Sequence, residues 1–102
     1  MLEQTDNTTV YTIDQLRDII APFVKSRGFI RAYLFGSYAR GEADGTSDID
    51  ILVDKGKARA MAVCGLANHV YRATGKLADV FDVSELDQSP FRDSVMRDAV
   101  AL

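Results

Sequence analysis

Asp48 and Asp50 stand one residue apart in the run DIDILV, Asp48 to Val53. That run reads as a strand, so both carboxylates leave the same face, with Cα atoms ~6–7 Å apart. Two acids held that close are costly unless a cation joins them, and hard cations such as Mg2+ prefer such oxygen ligands. A two-metal site places its ions ~3.5–4 Å apart and stabilises both the attacking and the leaving oxygen. The spacing therefore suits metal-assisted phosphoryl or nucleotidyl transfer.

A second group of residues lies just upstream. Gly36-Ser37 follows an apolar run and opens a helical turn over Ser37 to Gly41. Glycine lets a phosphate approach the backbone, and free N–H groups at a helix start favour anions. Ser37 can donate its hydroxyl, and Arg40, one turn on, can reach phosphate oxygens. A salt bridge from Arg40 to Glu42 or Asp44 competes with that role. Two other readings of the stretch fail. Gly36 and Gly41 have the glycine spacing of a P-loop, but Glu42 stands where the phosphate-binding Lys must be. Asp44, Thr46, Asp48 and Asp50 echo a calcium loop, yet Ile49 occupies the Gly position and Lys55 the bidentate Glu position.

The elements around these residues alternate between helix and strand patterns. Ile13, Leu16, Ile19, Ile20, Phe23 and Val24 form one helical stripe, with Thr12 as N-cap, Pro22 as an expected kink and Lys25, Arg27 and Gly28 as the stop. Phe29 to Phe35 alternates Ile30, Ala32 and Leu34 against Arg31, Tyr33 and Phe35, and reads as a strand. Glu42 to Thr46 is a polar loop with an Asp44-Gly45 turn. Ala58 to Thr74 reads as a helix burying Met61, Cys64, Leu66, Val70 and Tyr71, closed by Gly75. Leu77 to Phe81 is a third strand, with Asp79 facing opposite to Ala78 and Val80. Ser84 is expected to cap one turn. Pro90 opens a last helix with the stripe Val95, Met96, Ala99 and Val100. This order indicates an α/β (α+β) domain with a small mixed sheet flanked by helices. Residues 1–11 are expected to be a flexible segment and 12–102 a single domain.

The chain has 102 residues, 47% hydrophobic and 26% charged, which suits one core and excludes both a disordered chain and two cores. Its apolar runs fall far below the roughly 18 residues that span a membrane, and its first residues lack the pattern of a signal peptide. A single cysteine, Cys64, excludes an intrachain disulfide and points to a reduced, cytoplasmic setting. The net charge of -3 argues against a polynucleotide as the main partner. Cys64 reads as inert core, His69 as a solvated helix residue, and Lys55, Lys57 and Arg59 as a solvated basic run.

The pattern GS-x-A-R-G, six residues, then D-I-D resembles the signature of the DNA polymerase beta-like nucleotidyltransferases, and in particular their minimal members. The family needs a third acid on a later strand; in ADVFDVSEL the matching position is Asp79, with Asp82 better suited to the following turn. The resemblance implies that Asp48, Asp50 and Asp79 hold two Mg2+ ions. It implies further that Asp79 orients an acceptor hydroxyl, and that Gly36, Ser37 and Arg40 bind the triphosphate of a nucleotide such as ATP. Minimal members are paired with small helical HEPN-type toxins, which they neutralise by binding or by adding AMP to a tyrosine. The expectation is therefore an antitoxin acting as a Mg-dependent protein adenylyltransferase. The alternative is a non-catalytic nucleotide-binding module that occludes its partner. Only 23 residues follow Asp79, little material to enclose an acceptor, which favours a protein partner. Surplus apolar surface on the first or last helix could meet that partner or a second copy.

Overall fold

A computed structural model describes residues 8–86, 90 and 92–102. The first helix, α1 (Ile13–Ser26), starts at a reciprocal cap. The Gln15 amide donates to Thr12 Oγ1 at 3.0 Å, and the Thr12 amide donates to Gln15 Oε1 at 2.8 Å. Its expected stripe is the observed one: Leu16, Ile20, Phe23 and Val24 are buried, and Pro22 lies within the helix.

The strand β1 (Arg31–Phe35) leads directly into the short helix α2 (Gly36–Arg40). Then follow β2 (Ile49–Asp54), α3 (Ala60–Thr74), β3 (Ala78–Asp82), α4 (Val83–Leu86), α5 (Arg92–Asp98) and β4 (Val100–Ala101). The sheet order is β3-β2-β1-β4. β1 runs antiparallel to β2 and β4, whereas β2 and β3 are parallel, with α3 as the crossover between them. The sheet is thus mixed, as expected.

Alternation along the strands separates two cores. Ile49, Ile51 and Val53 of β2 point with Ala32 and Leu34 of β1 into the main core against α1 and α3. Leu52 points the other way, with Tyr33 and Phe35, into a smaller core against Leu86 and Val95. Asp50 shares that second face, because it is two residues from Leu52. Truncating a fully buried residue of the main core such as Ile51 should cost roughly 2–5 kcal/mol.

Several expectations need correction. The buried face of α3 is Leu66, Val70 and Thr74, with Ala62 and Val63 partly buried. Cys64 is exposed rather than core, and Met61 and Tyr71 are 80% and 51% exposed. The reason is close packing of α1 on a small-residue surface: Gly65 faces Phe23, and a β-carbon there would stand 3.3 Å from its ring. Apolar identity alone drew the stripe toward the larger side chains. Ile30 lies outside β1 and is 59% exposed.

His69 is not simply solvated. Its Nε2 donates to the Ile19 carbonyl at 3.0 Å, and its ring lies 5.0 Å from that of Phe23. The last helix stops at Asp98, and Val100 and Ala101 pair with Leu34 and Tyr33. Two residues are too short to carry a period, so this strand is set by the open edge of β1. Residues 1–7 of the expected flexible segment lie outside the described residues. Tyr11 packs on the main core, and its hydroxyl donates to the Thr74 carbonyl at 3.1 Å.

Candidate active site

The chain reverses sharply where β1 meets α2. Gly36 takes φ +69, a left-handed conformation that L side chains rarely adopt. A β-carbon on Gly36 would also overlap the Asp50 carboxylate. Phe35 and Asp50 are register partners across β1 and β2, which is why the turn after Phe35 lands on that carboxylate. The glycine therefore answers to both backbone conformation and space.

On the other side of Asp50 lies Asp79. The two are register partners on the parallel strands β2 and β3, with Cα atoms about 5 Å apart as adjacent strands require. Burial pushes the Asp50 carboxyl up to about 6; the charges of Asp79 and then Asp48 push in the same direction, and Arg40 opposes them. Gly36, Arg40, Asp50 and Asp79 line one open cavity of about 570 Å³. Leu86 and Val95 form apolar wall, together with Phe35 and Phe81, whose rings lie 6.0 Å apart.

Two of the anticipated residues do not line this cavity. Asp48 is exposed and precedes β2 by one residue, although its charge still reaches Asp50. Ser37 lies one residue into α2, where its carbonyl accepts from the Glu42 amide at 2.9 Å. Between α2 and Asp48, the loop is organised by Asp44. Its Oδ1 accepts from the Thr46 amide at 2.8 Å and from Thr46 Oγ1 at 2.7 Å. The buried Lys76 also donates to the Gly45 carbonyl at 2.9 Å, tying the loop to the end of α3.

Arg40 is engaged twice. Its Nε donates to Glu42 at 2.9 Å and its Nη1 to Asp98 at 3.0 Å. Glu42 was among the anticipated partners; Asp98, 58 residues away, was not. Glu85, Ser94 and Asp98 also line the cavity, and no local motif marks them. Phe81, by contrast, was legible by alternation, since it lies two residues beyond Asp79 on the same face.

Asp82 does what its position suggested. Its Oδ2 accepts from the Ser84 amide at 3.1 Å and from Ser84 Oγ at 2.6 Å, and its Oδ1 accepts from the Lys55 amide at 3.0 Å. Asp82 therefore caps α4, and Ser84 is the capped residue rather than the cap. Burial alone would raise its carboxyl, but these bonds outweigh burial and hold it below the usual range.

The donors facing the cavity are carboxylate oxygens, which match a hard divalent cation. Among the described residues no three His, Cys, Asp or Glu side chains are gathered closely enough to hold a metal ion as they stand. The charge crowded around Asp50 is nonetheless of the kind a cation relieves.

Residues 17–102 match the family model described as Polymerase beta, Nucleotidyltransferase. The chain belongs to the polymerase beta-like nucleotidyltransferase family. A protein of Methanocaldococcus jannaschii, provisionally named a protein adenylyltransferase, is 34% identical over 89 residues, covering 86% of this nucleotidyltransferase and 95% of that protein. A solved structure provisionally described as a minimal nucleotidyltransferase is 27% identical, with TM-score 0.74 over 92% of this chain and 99% of its own. A solved toxin-antitoxin structure with AMP-PNP shares the fold at 24% identity, with TM-score 0.66 over 83% of this chain and 70% of that one. No helix among the described residues of the nucleotidyltransferase is long and apolar enough to cross a membrane.

Proposed function

We propose that this nucleotidyltransferase transfers AMP from ATP to a tyrosine hydroxyl of a small helical HEPN-type toxin in the cytoplasm and so acts as its antitoxin. The observation that carries the catalytic part is the pairing of Asp50 with Asp79 beside the side-chain-free surface of Gly36, in one cavity with Arg40. The adenylyl group and the toxin are supported by the relative named for protein adenylylation and by the toxin-antitoxin neighbour with AMP-PNP.

In this reading Gly36 and Ser37 leave room and backbone N–H groups for the triphosphate, and Arg40 turns from its carboxylate partners to the phosphate oxygens. Asp48, Asp50 and Asp79 would hold Mg2+, which supplies charge neutralisation and Lewis acidity when bound. Asp79 accepts a hydrogen bond from the acceptor hydroxyl and orients its oxygen toward the α-phosphorus. The new O–P bond forms, the bond to the bridging oxygen of the β-phosphate breaks, and pyrophosphate leaves. The hydroxyl proton passes to carboxylate and then to solvent.

A second reading, a nucleotide-binding module that neutralises its partner by occlusion, draws on the engagement of Arg40 by Glu42 and Asp98. Incubation with the partner toxin, Mg2+ and α-labelled ATP separates the two. Label on a partner tyrosine that is lost with Asp50→Asn supports transfer. An unlabelled partner that is still neutralised by the Asp50→Asn protein supports occlusion.

A further inference from the structure

On the face of the sheet opposite the acid pair, two adjoining surface grooves of about 480 Å³ each run between the end of α1 and the outer side of α3. Four cations line them: Arg27, which belongs to both, with Lys57, Arg59 and Arg72. Among the described residues, no carboxylate lines either groove. None of the four groove cations forms an ion pair with a carboxylate among the described residues. They cluster on a chain whose net charge is -3.

Helix energetics do not call for two of these charges. Arg59 is the N-cap of α3, it makes no side-chain capping bond, and no acid follows in the first turn. Lys57 stands two residues earlier. The positive end of a helix favours carboxylates, and N-caps favour short oxygen-bearing side chains, so both cations sit where the helix dipole repels them. Met61 lies in the same groove and is 80% exposed, the most exposed of the large apolar residues described.

We infer that these grooves form a docking surface for an acidic, partly apolar protein segment. Unpaired arginines around an exposed methionine have the composition of a protein interface. A single-stranded nucleic acid would need open aromatic faces for its bases. The aromatic ring in the grooves other than His69 is Phe23, which is 9% exposed, lies against His69 and carries the Arg27 guanidinium 4.6 Å above its centroid. Docking here leaves the Asp50–Asp79 cavity uncovered, because that cavity lies on the other face of the sheet.

The test uses the full chain and three labelled probes read by fluorescence anisotropy. They are an amphipathic helical peptide with Glu on one side and Leu on the other, the same peptide with Gln for Glu, and a single-stranded RNA. The acidic peptide should bind, and should bind about tenfold more weakly to the Lys57→Glu/Arg59→Glu protein, and likewise to Arg72→Glu. The Gln peptide should bind wild type as weakly. The melting temperature of the Lys57→Glu/Arg59→Glu protein should equal or exceed that of wild type, since carboxylates suit the start of α3. Failure of the acidic peptide to bind, or equal binding by wild type and variants, would overturn the inference. So would tighter binding of the RNA, lost in the same variants, which would assign the surface to nucleic acid.

Discussion

Asp50 and Asp79 face each other in register across two parallel strands, and Asp50 carries the consequence. Burial, and secondly the charge of Asp79, push its carboxyl up to about 6. Because the folded-state value lies above the unfolded one, the folded protein holds a proton that the unfolded chain has lost between about pH 4 and 6. Metal-free stability should therefore fall as pH rises through that window. Asp50→Asn should raise metal-free stability above pH 6 by on the order of 1 kcal/mol, allowing for solvent screening, and should change little near pH 4. Urea titrations in chelator at both pH values check this. The same variant should lose adenylyl transfer by about a hundredfold or more, if the acid pair holds the metal.

Asp79 and Asp82 are three residues apart and should behave oppositely. Asp79→Asn should abolish transfer with little loss of stability, since Asp79 is exposed at the cavity. Asp82→Ala should retain the acid pair but remove the cap of α4 and the acceptor for the Lys55 amide, costing about 1–2 kcal/mol. Its carboxyl is held below the usual range, so its contribution is present above the unfolded pKa and is lost as pH falls through the folded one. Chemical denaturation and labelled-ATP assays on both variants would separate the two roles.

Gly36→Ala meets two obstacles, the φ of +69 and the carboxylate of Asp50. A non-glycine residue in that conformation costs about 1–3 kcal/mol, and displacing Asp50 should disturb the acid pair as well. The expected outcome is a lower urea midpoint together with weaker ATP binding by calorimetry. Wild-type-like values of both would show that the turn can relax.

Arg40→Ala should weaken ATP binding about tenfold while leaving the melting temperature almost unchanged, because its carboxylate partners are in contact with solvent. Asp98→Ala, which frees Arg40 without removing it, should leave ATP binding equal or tighter. Weaker binding in Asp98→Ala would mean that the ion pair positions Arg40 rather than competing for it.

Much of the architecture was legible because it rests on local physics. The stripe of α1 and its Thr12 cap follow from helical period and from the unpaired amides of a helix start. The strand faces of β1 and β2 follow from a period of two, and so does the separation of Asp50 from Ile49 and Ile51. The α3 face departs from the apolar pattern: Met61, Cys64 and Tyr71 stay exposed, because packing selects the smaller surface that lets α1 approach.

The sequence by itself determined the chemistry available: a glycine turn after a strand, acids at alternate positions, and a later strand carrying a third acid. Those are properties of residue type and short spacing, where sterics and periodicity act over a few bonds. Tertiary structure alone decided that Asp79 is the register partner of Asp50, that Asp98 holds Arg40 and that β4 covers the edge of β1. It also set Asp48 and Ser37 outside the cavity lined by the other four. Each of these depends on which strand pairs with which and in what register, and pairing is settled by burial of both sheet faces at once rather than by any stretch of neighbouring residues.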